Sequence, residues 1–90
     1  MRFRFEISSE AQKNLSALPR EAQTRIARAI DEMDGIDDSL WSNVKALQGP
    51  EWKGRFRKKV GPYRIIFTKF PAVAAVVISA ISIRSKDTYK

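Results

Sequence analysis

An α+β fold of order βααβββ, a helical hairpin packed on a small antiparallel sheet, follows from three features of this sequence. Residues 2 to 7 alternate polar and apolar, residues 9 to 35 carry two apolar repeats at helical spacing, and residues 55 to 83 return to a period of two. Ninety residues, 43% of them hydrophobic, suffice for one core and not for two, so a single domain over residues 1–90 is expected.

The first strand, Arg-Phe-Arg-Phe-Glu-Ile, turns Phe3, Phe5 and Ile7 to one side. Ser9 followed by Gln12 has the spacing of a capping box, and Ala11, Leu15 and Leu18 then recur as the inner stripe of a short helix. Pro19 suits the first turn of a second helix with Ala22, Ile26, Ile30 and Met33 on its apolar face and Gly35 as a stop. Residues 36 to 54 fit either a short helix or an ordered loop around Leu40, Trp41, Val44 and Leu47. Three strands in an antiparallel meander follow, Arg55 to Val60, Tyr63 to Lys69 and Val73 to Ile83, parted by Gly61-Pro62 and Phe70-Pro71-Ala72. The last is apolar on both faces, as an interior strand should be.

The net charge of +7 is unevenly spread. Residues 1 to 40 hold six basic and eight acidic side chains, a balance of −2, whereas residues 41 to 90 hold eleven and two, a balance of +9. Such a field draws polyanions, and nucleic acid is the commonest of them inside a cell. The longest apolar stretch, Ala72 to Ile83, is 12 residues, short of the roughly 20 that span a bilayer. Arg2, Arg4 and Glu6 break up any signal-like run at the start. With no cysteine, the expectation is a reducing, cytoplasmic setting and no membrane.

Absence of both histidine and cysteine removes essential parts of thiolate zinc sites, serine–histidine triads and cysteine nucleophiles. Asp34, Asp37 and Asp38 lack the ligand spacing of a calcium loop and read as a solvated turn, and the expectation is no metal and no cofactor. What remains is Lys53-Gly54-Arg55-Phe56-Arg57-Lys58-Lys59, five cations in seven residues on a strand. Alternation sets Arg55, Arg57 and Lys59 on one face, where their mutual repulsion makes a polyanion such as RNA the natural partner; shielding of a sheet edge by cations is the other reading. Arg64 interrupts an apolar strand and Arg84 ends one, and a guanidinium at either place can grip a phosphate through two hydrogen bonds or form an internal salt bridge with Asp87 or Glu51. Tyr89 can pack, stack on a base or exchange a proton.

Val44-Lys45-Ala46-Leu47-Gln48-Gly49, Gly54-Arg55-Phe56-Arg57, Val60-Gly61-Pro62-Tyr63-Arg64-Ile65-Ile66-Phe67 and Ile83-Arg84 through Asp87-Thr88-Tyr89 together resemble the RelE/ParE toxin superfamily over nearly the whole chain. The resemblance to the RelE branch implies the toxin of a toxin–antitoxin system, an endoribonuclease (mRNA interferase) that cuts messenger RNA in the ribosomal A site without a metal, held in check by an antitoxin encoded nearby. It implies catalytic roles for Arg57, Arg64, Arg84 and Tyr89 and RNA binding by Lys53, Arg55, Arg57 and Lys59, with Asp87 a further candidate. Ile83 stands where many relatives carry histidine, which implies the chemistry of the histidine-free members or an impaired enzyme; the step from Arg84 to Tyr89 is one residue longer than in many relatives. Two alternatives come with the fold: a ParE-type toxin that binds gyrase, and a degenerate module that binds only RNA or its antitoxin.

Overall fold

The structure, a computed structural model, describes residues 1–50 and 54–83. Its order is β1 (Arg4–Ile7), α1 (Ser9–Ser16), α2 (Arg20–Asp31), β2 (Val44–Ala46), β3 (Arg55–Val60), β4 (Tyr63–Phe70) and β5 (Ala75–Ile83), with short 3-10 turns at Asp38–Leu40 and Pro71–Val73. The strands form one sheet in the order β1-β5-β4-β3-β2.

The expected hairpin and meander are present, with three differences. The sheet is mixed, because β1 runs parallel to β5, Arg4 opposite Ala75 through Ile7 opposite Ile78. A helical excursion between β1 and the meander returns the chain on the far side of β5, and a strand reached by such a crossover can lie parallel. The segment that fits either a helix or a loop contains a fifth strand: Val44, Lys45 and Ala46 pair antiparallel with Lys58, Arg57 and Phe56. The helix cap also sits one residue earlier than the capping box suggests, since the Ser8 hydroxyl, not that of Ser9, accepts from the Ala11 backbone N–H at 3.1 Å.

Strands β1 and β3 turn alternate residues inward, and β4 and β5, inside the sheet, bury residues on both faces. Phe5, Phe56, Ile65, Phe67, Val76, Ile78 and Ile81 meet Ala11 and Ile26 of the helices in one core, with α1 against β5 and α2 against β3. Strand β5 is interior, between β1 and β4, as its two apolar faces require. A bulge between Ile66 and Phe67 keeps the inner side chains of β4 and β5 in step. Trp41, on the segment between α2 and β2, inserts into this core: its ring lies 5.4 Å from Phe5 and 5.9 Å from Phe67 edge-on, and its Nε1 donates to the Met33 carbonyl at 3.1 Å.

The acidic turn has structural duties. Asp34 accepts the Phe5 N–H at 3.2 Å and the Gly35 N–H donates to the Phe3 carbonyl at 2.9 Å, so the outer edge of β1 is occupied by the chain's own groups. Gly35 can do this because it takes a φ of 74°. Asp38 pairs with Lys69 at 3.1 Å, whose ammonium lies over the rings of Phe56 (4.6 Å), Trp41 (5.0 Å) and Phe3 (5.5 Å). Hydrogen bonds from the N-terminal ammonium and from Lys69 hold the Asp38 carboxyl below its ordinary range; for Asp37 the main cause is the Ser39 backbone N–H.

Candidate nucleic-acid interface

Strand β3 sorts its cations by side. Phe56, Lys58 and Val60 turn toward the helices, and Arg55, Arg57 and Lys59 turn away, as alternation predicts. Register then sets their neighbours. Lys45 lies directly opposite Arg57 on β2, and Arg64 directly opposite Lys59 on β4, so with Arg55 five basic residues share the face of the sheet turned from the helices, on three adjacent strands. Directly opposed side chains have Cβ atoms about 4.5–5.5 Å apart, and like charges so placed repel. Lys45, Arg57 and Lys59 line, with Asn43, a cavity of about 200 Å³. Arg55 lies at the start of β3, opposite Thr68, and is exposed.

Arg64 differs from expectation in one respect. The sequence reading does not count it as part of the core, yet it is 3% exposed, with its Nη1 donating to the Tyr63 carbonyl at 3.3 Å. Its side chain therefore belongs to the floor of the face, at a position between Lys59 on β3 and Ser82 on β5. Lys53, Arg84 and Tyr89 lie outside the described residues, as do Glu51 and Asp87, the acids considered as internal partners for the two arginines.

Two lysines take places that the sequence alone does not disclose. Lys45 becomes visible as a site residue only once β2 is paired. Lys58, one of the five cations of the basic run, is 6% exposed, and its Nζ donates to the Ser42 carbonyl at 2.7 Å. Burial pushes its pKa below the ordinary lysine value, against a smaller upward pull from Glu32. The side of the strand on which a cation falls is legible in the sequence; whether that side is covered depends on α2 and the turn at Ser42, which no local pattern encodes.

Among the described residues no group of three or more histidine, cysteine, aspartate or glutamate side chains is arranged to hold a metal ion. No described helix is long and apolar enough to cross a membrane.

No protein-family model matches the sequence, and no curated protein matches it. Solved structures do. The RelE of an archaeal RelE–RelB complex from Pyrococcus horikoshii OT3 superposes with a TM-score of 0.76 at 22% identity, over 96% of this chain and 99% of that one. A chain of the toxin–antitoxin complex RelBE2 from Mycobacterium tuberculosis gives 0.68 at 24% identity over 93% and 100%. The isolated Escherichia coli RelE toxin gives 0.73 at 11% identity over 96% and 88%. The superpositions extend over almost the full length of each, and the chain has the fold of the RelE toxins.

Proposed function

We propose that this chain is the toxin of a toxin–antitoxin pair and an endoribonuclease that cuts messenger RNA on the ribosome in the cytoplasm. The observation that carries this reading is the row of cations on the face of the sheet turned away from α1 and α2, Lys45 beside Arg57 and Lys59 beside Arg64. Repulsion among Lys45, Arg57 and Lys59 is relieved by a polyanion. Two of the three structures compared above are RelE bound to RelB or a toxin–antitoxin complex, which supports an antitoxin partner here. The partner expected is acidic and folds as it binds, covering the basic half of the surface.

A chain without histidine or cysteine has no imidazole base and no thiolate nucleophile, and the nucleophile in this reading is the substrate's own 2′-hydroxyl. The 2′-hydroxyl of the nucleotide 5′ of the cut attacks the adjacent phosphorus. The new O2′–P bond forms as the P–O5′ bond breaks; the hydroxyl proton leaves O2′ and a proton is delivered to the departing O5′. The products are a 2′,3′-cyclic phosphate and a 5′-hydroxyl. Holding the three reacting atoms in line is worth about 7–11 kcal/mol in favourable cases. Cations against the phosphoryl oxygens add several more. Arg57, Lys59 and Arg64 take that second role, joined by Arg84; Lys53 and Arg55 steer the strand, and Tyr89 stacks on a base or passes the proton.

The reaction is tested by replacing the nucleotide 5′ of the cut with its 2′-deoxy form in a message loaded on purified ribosomes. Cleavage of the ribose message and none of the deoxy message is expected. Equal cleavage of both removes the 2′-hydroxyl mechanism.

A further inference from the structure

On the helix side of the sheet, where β3 ends, a second cavity of about 310 Å³ opens between α2 and the β3–β4 turn. Arg25 and Arg28 from α2 line it with Lys58 and Lys59 from β3, against one carboxylate, Glu32. Its volume is at the lower end of ligand pockets, which run about 300–1,000 Å³. Arg25 and Arg28 stand one turn apart on the exposed side of α2, so both guanidiniums reach the same opening.

Two further observations show that this is a built site. The guanidinium of Arg25 packs on the backbone of Gly61: a Cβ placed there would stand 2.5 Å from its Nη2 and 3.2 Å from its Cζ. Gly61, with a φ of 57°, both makes the turn and leaves the space that Arg25 fills. Lys58 is nine-tenths buried and lines the cavity, its ammonium bound to the Ser42 carbonyl and hydroxyl, and among the described residues it makes no ion pair. Glu32 acts on this ammonium without pairing with it; burying an ammonium so weakly compensated is costly, and an anion entering the cavity offsets that cost.

Asn43 and Lys59 line this cavity and also the one on the sheet face. The two cavities therefore flank one exposed edge of the sheet. A strand of regularly spaced phosphates fits such a path, and guanidiniums matched to phosphate geometry favour nucleic acid over a peptide carboxylate. We propose that the Arg25–Arg28–Lys58 cavity is a second phosphate subsite, holding a backbone phosphate of single-stranded RNA that leaves the sheet face over Asn43 and Lys59. This rests on the reading of the sheet face as an RNA surface.

Fluorescence anisotropy of the full chain with 2′-O-methyl RNA oligomers, which resist 2′-hydroxyl attack, tests it; lengths of about 4 and about 12 nucleotides bracket the usual site sizes. The Arg25→Gln/Arg28→Gln variant is expected to bind the long oligomer about tenfold more weakly. The slope of log K against log salt becomes shallower by about 0.7 for each phosphate that the variant no longer neutralises. Binding of the short oligomer, confined to the sheet face, is unchanged. Lys13→Gln/Arg20→Gln, which removes the same charge from exposed positions lining neither cavity, leaves both oligomers unaffected. Far-UV circular dichroism confirms that each variant is folded. A Lys58→Met chain is expected to melt at a higher temperature than the parent and to bind the long oligomer less well, a pairing that a purely structural lysine does not produce.

If the Arg25/Arg28 variant matches the Lys13/Arg20 control, the cavity holds no phosphate and the proposal falls, with the sheet face intact. Weaker binding of a polyglutamate probe with RNA binding unchanged overturns it in favour of an acidic protein segment. Should Arg57→Ala leave both oligomers bound as before, the sheet-face reading itself fails and takes this subsite with it.

Discussion

Arg57→Ala is expected to reduce message cleavage by about 10²–10³-fold, the usual cost of removing one preorganised group from a developing oxyanion, while the protein stays folded. Arg57 stands in the middle strand of the cationic row, opposite Lys45 and beside Lys59 in the sheet-face cavity. Its side chain points away from the helices, and it is absent from the core, which takes Phe56 and Val60 from the same strand. Its loss also relieves repulsion from Lys45, so stability should change by no more than about 0.5 kcal/mol. Arg57→Lys keeps the charge and loses the two-pronged grip, and should fall between the parent and the alanine variant. Cleavage on purified ribosomes together with a thermal melt measures both quantities. A folded alanine variant with parental activity removes Arg57 from the site. Arg64 is a poorer probe, because its 3% exposure means that truncation also opens a hole in the sheet.

The largest effect on stability is expected at Phe67. Its ring is fully buried, stacked on Phe56 at 5.7 Å, edge-on to Trp41 at 5.9 Å and 6.2 Å from Phe5. It therefore joins β1, β3, β4 and the segment after α2 in one cluster. Phe67→Ala should cost about 3–5 kcal/mol, through the missing ring and the cavity left behind. Domains of this kind have only about 5–15 kcal/mol in all. Urea unfolding followed by tryptophan fluorescence reads it, since Trp41 packs against the deleted ring. A loss below about 1 kcal/mol would mean that the cluster collapses around the gap, and that Phe67 is not its keystone.

Periodic segments are readable without the structure because they run long enough for their periods to be unambiguous. Ala22, Ile26 and Ala29 repeat along α2, β3 alternates over six residues, and β4 and β5 are apolar runs of eight and nine residues bounded by turns. Three residues, Val44 to Ala46, are too few to show a period, so β2 emerges only from its pairing with β3, and Lys45 with it. The parallel pairing of β1 with β5 joins residues about seventy positions apart and depends on where the helical hairpin sets the chain down; nothing local to Arg4–Ile7 encodes it. Ser8 and Ser9 are chemically identical as caps, and the choice between them is made by the exit of β1, where the Ser8 N–H also donates to Ile78 on β5. The site divides in the same way. Arg55, Arg57 and Lys59 share a face because alternation requires it, whereas the burial of Lys58 beside Ser42 and the approach of Arg25 to Gly61 come from elements distant in the chain.

The claim on which the rest depends is that the basic sheet face acts on messenger RNA. Mapping the 5′ ends of cellular messages after brief expression of the chain, beside the Arg57→Ala variant, tests it most directly. The account predicts new 5′-hydroxyl ends inside coding regions with the parent chain and none with the variant. Intact messages in cells that nevertheless stop growing, with broken DNA trapped on gyrase, would contradict it.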